Sequence, residues 1–199
     1  MGYVFGDQLE YVRELTPLFW LSMFLFASCL AYGYYSGSTL GLEVLEEKLE
    51  ALPNLEGQSY TVVILVYFAF IFFSNVLVGL LSIVSGLIFG IPALMINALN
   101  GYYSGGIIRS STLEMGLPFT LSIIIPHGII EIPTFVLCWA VGLSLGYKLL
   151  STIRGGGGLR SEFKRAMRLY VTRLVPLLLL AACIEVVITP FFGLLFSPI

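Results

Sequence analysis

A stretch of 52 residues without a charged side chain, from Gly57 to Ile108, is the feature that most constrains this chain. Soluble domains interrupt their apolar segments with charged residues far more often, because each helix or strand presents one side to water. A helix that spans a membrane needs about 20 apolar residues, so the stretch is long enough to cross twice. With 11% charged residues and a mean hydropathy of +0.96, the composition is typical of an integral membrane protein.

Five apolar segments predict an all-α transmembrane helical bundle that forms a single domain over residues 1–199. The predicted spans are approximately residues 17–35, 61–79, 82–99, 128–150 and 174–196. Residues 118–125 are too short to cross and are followed by Pro126, which predicts a re-entrant or broken half-helix before the fourth span. A bundle of six spans results if this half-helix crosses instead.

Two amphipathic segments are predicted to lie on the membrane surface. In residues 41–52, leucines recur at helical spacing while glutamates occupy the opposite side. Residues 159–173 follow the same pattern, with arginine and lysine on their polar side between residues 160 and 173. Such a basic helix beside a span favours contact with anionic lipids over contact with nucleic acid. The Gly- and Tyr-rich residues 100–106 predict a loop or a helix end.

The distribution of charge predicts how the chain is oriented. Seven of the ten basic residues lie between Lys148 and Arg173, which places that segment in the cytoplasm. The segment from Glu43 to Glu56 carries five glutamates and belongs outside. Five crossings then leave the amino terminus in the cytoplasm and the carboxyl terminus outside a plasma membrane.

Ionisable residues inside the predicted spans indicate a polar centre. Glu131 and Glu185 lie within apolar segments, and the only histidine, His127, precedes Glu131 by four residues, which puts both on one face of a continuous helix. Charges at this depth are costly and usually face an interior or a cavity. The centre is a proton or ion relay, a solute site or a metal site, or else an interior hydrogen bond that stabilises the bundle. Any metal would require all three residues, because a zinc site needs about three protein ligands.

Amides and glycines in the spans favour close contacts between helices. Asn75, Asn97 and Asn100 either form hydrogen bonds between helices or line a pore. Glycines recur at intervals of four, which predicts close helix packing within one chain or between two: Gly86 and Gly90, Gly101 and Gly105, Gly142 and Gly146. Ser85, Ser122 and Ser144 have no general base at a fixed motif spacing. We therefore expect no enzymatic activity and no cofactor.

The segment Pro126-His127-Gly128-Ile129-Ile130-Glu131-Ile132-Pro133 resembles the Pro-His-Gly-x-x-Glu-x-Pro signature of the stage II sporulation protein M family. The residues Asn75, Asn97, Asn100 and Gly101 also resemble that family's pattern, and the similarity extends over about residues 15–196. The resemblance implies a multispan plasma-membrane protein. The family's namesake holds two peptidoglycan-degrading partners at the septum of spore-forming cells, which implies a non-enzymatic scaffold.

These observations leave three functional hypotheses. The first is a membrane scaffold or anchor whose docking surfaces for membrane or extracytoplasmic proteins are residues 41–52 and residues 100–117. The second is a channel or transporter, expected to be a symmetric dimer, whose path is lined by His127, Glu131 and Glu185. The third is an intramembrane metal-binding protein that uses the same three side chains.

Overall fold

A computed structural model describes residues 2–50, 52–53, 55 and 57–196, and within these ranges the secondary structure is entirely helical. The predicted all-α fold class is confirmed. The helices of the described residues are α1 (Gly2–Glu14), α2 (Thr16–Ser36), α3 (Leu40–Glu50), α4 (Tyr60–Val84), α5 (Ile91–Met115), α6 (Leu117–Ile153), α7 (Leu159–Leu169), α8 (Val175–Val187) and α9 (Thr189–Phe196). A 3₁₀ turn, Ser85–Leu87, follows α4, and a π-helical turn, Tyr170–Leu174, joins α7 to α8.

Among the residues that the structure describes, four helical segments are long and apolar enough to cross a membrane: Thr16–Ser36, Tyr60–Leu87, Leu117–Ile153 and Leu159–Phe196. In the second of them only 6% of the most apolar stretch is buried inside the protein, so its large apolar side chains face outward. An outer surface of this kind is stable in lipid but not in water. Helix α5 is also 25 residues long, but its asparagines, glycines and tyrosines make it less apolar than these four.

Helix α6 is the centre of the bundle and packs against α2, α4, α5, α8 and α9. The middle of this helix is buried on most sides, with Val136, Trp139 and Val141 almost fully enclosed. Trp139 stacks on Phe26 of α2, with ring centroids 5.5 Å apart. A membrane-buried helix that carries apolar residues all round can make such contacts in every direction.

Glycines allow α2 and α5 to pack with their backbones in direct contact. A Cβ atom added at Gly101 would collide with the carbonyl oxygen of Phe26, and one added at Gly105 would collide with that of Leu30. From the opposite side, a Cβ atom at Gly33 would collide with the carbonyl oxygen of Tyr102. The predicted small-residue pattern at 101 and 105 therefore joins two helices of the same chain.

The other two glycine pairs of the sequence pack against each other. A Cβ atom at Gly86 would collide with the backbone of Gly142, and one at Gly146 would collide with the backbone of Gly90. These contacts hold the turn between α4 and α5 against the carboxyl-terminal half of α6. The sequence predicted close helix packing but did not decide whether it occurs within one chain or between two. At both places it occurs within one chain.

Helix boundaries in α4 and α5 differ from the sequence prediction. The break between the second and third predicted spans lies at residues 85–90 instead of 79–82, because Gly90 adopts a left-handed conformation (φ 75°) and Pro92 begins the next helix. Residues 100–106, predicted as a loop or helix end, are a helical part of α5. Their glycines serve contact with α2 and do not end the helix, so residues 100–117 do not form the docking loop that we expected.

The half-helix 118–125 and the span 128–150 are not separate, because α6 runs through Pro126 and Pro133 without a break over 37 residues. Each proline removes one backbone hydrogen bond, the one to the carbonyl oxygen four residues earlier, which is that of Ser122 or Ile129. Hydroxyl groups bond other carbonyl oxygens of the same helix. Thr134 Oγ1 donates to the carbonyl oxygen of Ile130 (2.6 Å), and Ser122 Oγ donates to that of Phe119 (2.7 Å).

A single residue, Gly116, separates α5 from α6. Its φ of 85° reverses the chain there, since this backbone conformation is favourable only for glycine. Beside the reversal, the hydroxyl groups of Ser111 and Thr120 form a hydrogen bond of 2.9 Å across the two helices. The two helices thus form an antiparallel pair that begins at Gly116.

Candidate functional site

His127, Glu131 and Glu185 come together inside the bundle. One possible ligand atom from each of them lies within 4.8 Å of the others, and all three side chains are partly buried. His127 and Glu131 project from the same face of α6, as their spacing of four residues predicts, while Glu185 comes from α8. We call these three side chains the polar centre.

Thr189, the first residue of α9, contacts the polar centre. His127 Nδ1 lies 3.4 Å from Thr189 Oγ1, and this hydroxyl group can donate its proton to the carbonyl oxygen of Ile184, also at 3.4 Å. A neutral His127 either donates its Nδ1 proton to this hydroxyl oxygen or accepts the hydroxyl proton at Nδ1, depending on its tautomer. In the tautomer that donates through Nδ1, Nε2 carries the lone pair and can bind a proton or a metal ion.

A cavity of about 170 Å³ lies beside His127 and Glu131. Its apolar wall comes from α2 and α5, including Phe26 and Ile107, and Ser104 adds a hydroxyl group. Arg109, which directly follows Ile107 and Ile108 in α5, donates to the carbonyl oxygen of Tyr34 near the end of α2 (3.1 Å). The cavity therefore lies close to the end of the bundle where α3 packs on α5.

Gly128 is buried and lines this cavity. A Cβ atom there would meet only side-chain atoms of Ile132 and Ile124, at ordinary distances of 3.5 Å and 3.7 Å. The glycine of the His-Gly-x-x-Glu element is consequently not required for helix packing, in contrast to Gly101. Its small size keeps space open next to the polar centre.

Buried polar atoms also lie along the contact of α2 with α5 and α6. Asn97 Nδ2 donates to the carbonyl oxygen of Ser22 (3.0 Å). Among the described residues, Asn97 Oδ1, Ser22 Oγ and Trp139 Nε1 are buried without a hydrogen-bonding partner. A buried polar atom without a partner costs about 1–3 kcal/mol, so these three atoms lower the stability of the folded bundle.

The remaining residues of the predicted site are outside the polar centre. Asn100 Nδ2 bonds the carbonyl oxygen of Ile96 in its own helix (2.8 Å), and Asn75 is a half-buried residue of α4. Pro126 lines a separate apolar groove with Phe192, and Pro133 is exposed on α6. The structure thus brings together the three ionisable candidates and leaves the amides and prolines in packing positions.

Thr189 and Ser104 are the two site residues that sequence reasoning missed. Thr189 follows Glu185 by four residues, the same interval that linked His127 to Glu131, and that spacing was an available signal. Ser104 offered no signal, since it belongs to a segment predicted as a loop.

Apolar outer surfaces together with an enclosed histidine and two glutamates define this chain as a helical membrane protein with a buried polar centre. The sequence model of the stage II sporulation protein M family matches residues 21–190. The chain therefore belongs to that family, as the His-Gly-x-x-Glu-x-Pro element indicates. Comparisons with curated proteins and with solved structures gave no match.

Proposed function

We propose that this protein is a channel or carrier that passes a small cation or protons across the membrane, with the polar centre on the path. The observation that carries the proposal is the convergence of His127, Glu131 and Glu185 within 4.8 Å beside a cavity. A charged residue at the middle of a membrane helix costs about 2.5–3.5 kcal/mol on insertion scales. Two glutamates from different helices, aimed at one point, are explained more simply by a bound ion than by packing.

The test is ion flux in proteoliposomes that contain the full chain. We expect flux above that of empty vesicles for the native protein, and an altered rate for Glu131→Gln, which keeps the side-chain shape but removes its charge. Glu114→Gln is the matched control, because Glu114 is exposed at the end of α5. Tight vesicles across a broad panel of monovalent ions, divalent ions and protons would refute conduction.

The proposal includes five crossings, by α2, α4, α5, α6 and α8, in the plasma membrane. Supporting this arrangement, α1 and the basic α7 pair through Arg165 at one end of the bundle, where Lys148 also lies. The positive-inside rule puts that end in the cytoplasm. Helix α9 packs beside Phe119 and Ile123 near the opposite end, which supports an external carboxyl terminus.

A second candidate function is a scaffold that holds partner proteins at the membrane. Its supporting observation is helix α3, whose exposed residues include Glu43, Glu46, Glu47 and Glu50. An acidic surface of this kind can attract a basic partner outside the cell. Replacing these four glutamates by glutamine should abolish partner capture and leave flux unchanged if the scaffold function holds.

We further propose a non-enzymatic role with anionic lipids as partners. The hydroxyl groups singled out in the sequence donate to other acceptors: Ser122 to a backbone carbonyl and Ser144 to Glu162 Oε1 (2.7 Å).

The exposed basic side chains of Arg160 and Lys164 on α7 support anionic lipids as partners. Basic side chains at a membrane surface contribute about 1 kcal/mol each to the binding of anionic lipids.

A further inference from the structure

We propose that the polar centre is a binding site for a divalent transition-metal ion of the zinc class, held by His127 Nε2 and by carboxylate oxygens of Glu131 and Glu185. This inference rests on the proposed function, because both proposals use the polar centre. It specifies the kind of ion that binds there. Three protein ligands that leave a coordination position open are typical of zinc sites that exchange or activate a further ligand.

The geometry fits one ion. Bonds from zinc to nitrogen and oxygen are about 2.0–2.2 Å long, so donors on the same ion lie about 3–4 Å apart. The three candidate atoms lie within 4.8 Å of one another. The remaining difference of about 1 Å is within reach of rotation about the flexible glutamate side chains.

The charges also fit. As metal ligands, the two glutamates would be ionised and would carry two negative charges inside an apolar bundle, and among the described His, Cys, Asp and Glu residues only His127 joins them in this cluster. A divalent cation cancels both charges, whereas a monovalent cation leaves one uncompensated. Buried charges persist where they are paired or coordinate a metal, so a divalent ion is the occupant that the cluster suits.

Thr189 prepares the histidine for this role. Histidines that bind metals usually donate their other ring N–H to an oxygen, which fixes both tautomer and ring orientation. His127 Nδ1 stands 3.4 Å from Thr189 Oγ1, so this hydroxyl oxygen can accept the Nδ1 proton when Nε2 binds the metal ion. The imidazole nitrogen favours zinc and related ions over magnesium or calcium, which prefer oxygen ligands.

The test is titration of the chelator-stripped full chain in detergent with Zn²⁺ alone. We expect one saturable Zn²⁺ per chain, at least tenfold weaker binding in Glu185→Gln and His127→Asn, and a 10–100-fold loss in Thr189→Val. Glu114→Gln and Cys183→Ser are controls that should bind as the native chain does. Absence of a saturable site in the native chain would overturn the inference, as would undiminished binding in both ligand variants.

X-ray absorption of the zinc-loaded native chain gives a test that does not depend on whether the variants fold. A first shell of nitrogen and oxygen at about 2.0–2.1 Å is expected, and sulfur at about 2.3 Å would overturn the assignment by pointing to a cysteine.

Flux measurements separate the metal-site proposal from the proposal of ion conduction. Stoichiometric Zn²⁺ with tight vesicles upholds the metal site and refutes conduction, whereas flux without Zn²⁺ binding refutes the metal site alone.

Discussion

Glycines in this chain have opposite roles depending on what faces them. Gly105 lies against the backbone of α2, so any side chain there forces two helices apart. Gly128 faces the cavity and the ends of two flexible isoleucine side chains. The sequence singled out both glycines, Gly105 in a pair at an interval of four and Gly128 in the His-Gly-x-x-Glu-x-Pro element. Only the atoms that face each glycine show which one is needed for helix packing and which one leaves space for a ligand.

We therefore predict different stabilities for Gly105→Ala and Gly128→Ala. The first should lower the free energy of unfolding by about 1–3 kcal/mol, because the added methyl group cannot avoid the carbonyl oxygen of Leu30. The second should leave stability unchanged or raised, since alanine favours a helix more than glycine does. Thermal denaturation of both variants in detergent measures the difference, and equal melting temperatures would contradict the packing argument.

Helix α1 is held to helix α7 by charge, in an arrangement that no local pattern predicted. Arg165 contacts Glu14 through both terminal nitrogens (2.9 Å and 3.1 Å) and lies over the ring of Tyr11, 4.5 Å from its centroid. Burial, followed by the neighbouring Glu162 carboxylate, raises the pKa of Tyr11 well above its ordinary value, so this hydroxyl group stays neutral. The predicted lipid-binding helix is thus partly covered by the chain's own acidic residues.

Replacing Arg165 by alanine should weaken the contact of α1 with α7. The ion pairs are partly exposed and worth at most about 1 kcal/mol each, so salt should weaken the contact in the native chain as well. Hydrogen–deuterium exchange over residues 2–14 is the measurement, with faster exchange expected in Arg165→Ala. Arg160→Ala is the control, because Arg160 is exposed on the same helix; equal acceleration in both variants would disprove a specific clamp.

The sequence predicted the helices that hydropathy determines, but it did not predict features that depend on how the helices pack together. The apolar segments and the surface helices α3 and α7 appear close to their predicted positions. The continuity of α6 was missed because proline is a strong signal for a break, whereas this helix runs through both of its internal prolines. The meeting of Glu185 with His127 depends on how α8 packs against α6, which spacing along the chain does not encode.

The whole molecule has two chemically different ends. One carries α1, α7 and most of the basic residues, and the other carries α3 with its exposed glutamates. The positive-inside rule predicts the orientation of the chain from this difference in charge between the two ends. The family match, which covers residues 21–190, shows that the sequence element around His127 identified the family correctly.

We predict that Ser161 and Glu47 lie on opposite sides of the membrane. In a chain whose native cysteines are replaced by serine, Glu47→Cys should react with an impermeant maleimide in intact cells. Ser161→Cys should react only after the membrane is permeabilised. Both positions are exposed, so reagent access is not limited by burial. Labelling of both positions in intact cells would contradict the five-span topology.

The single-residue link at Gly116 bears on how the protein is made. In the proposed five-span topology, the single glycine between α5 and α6 requires the two helices to enter the bilayer as a hairpin, and α5 is the less apolar partner. Helix α2 is synthesised earlier and offers the glycine-matched surface that α5 needs. Loss of that surface should therefore appear at biogenesis, as nascent chains that stall at the translocon and are degraded before any mature protein accumulates.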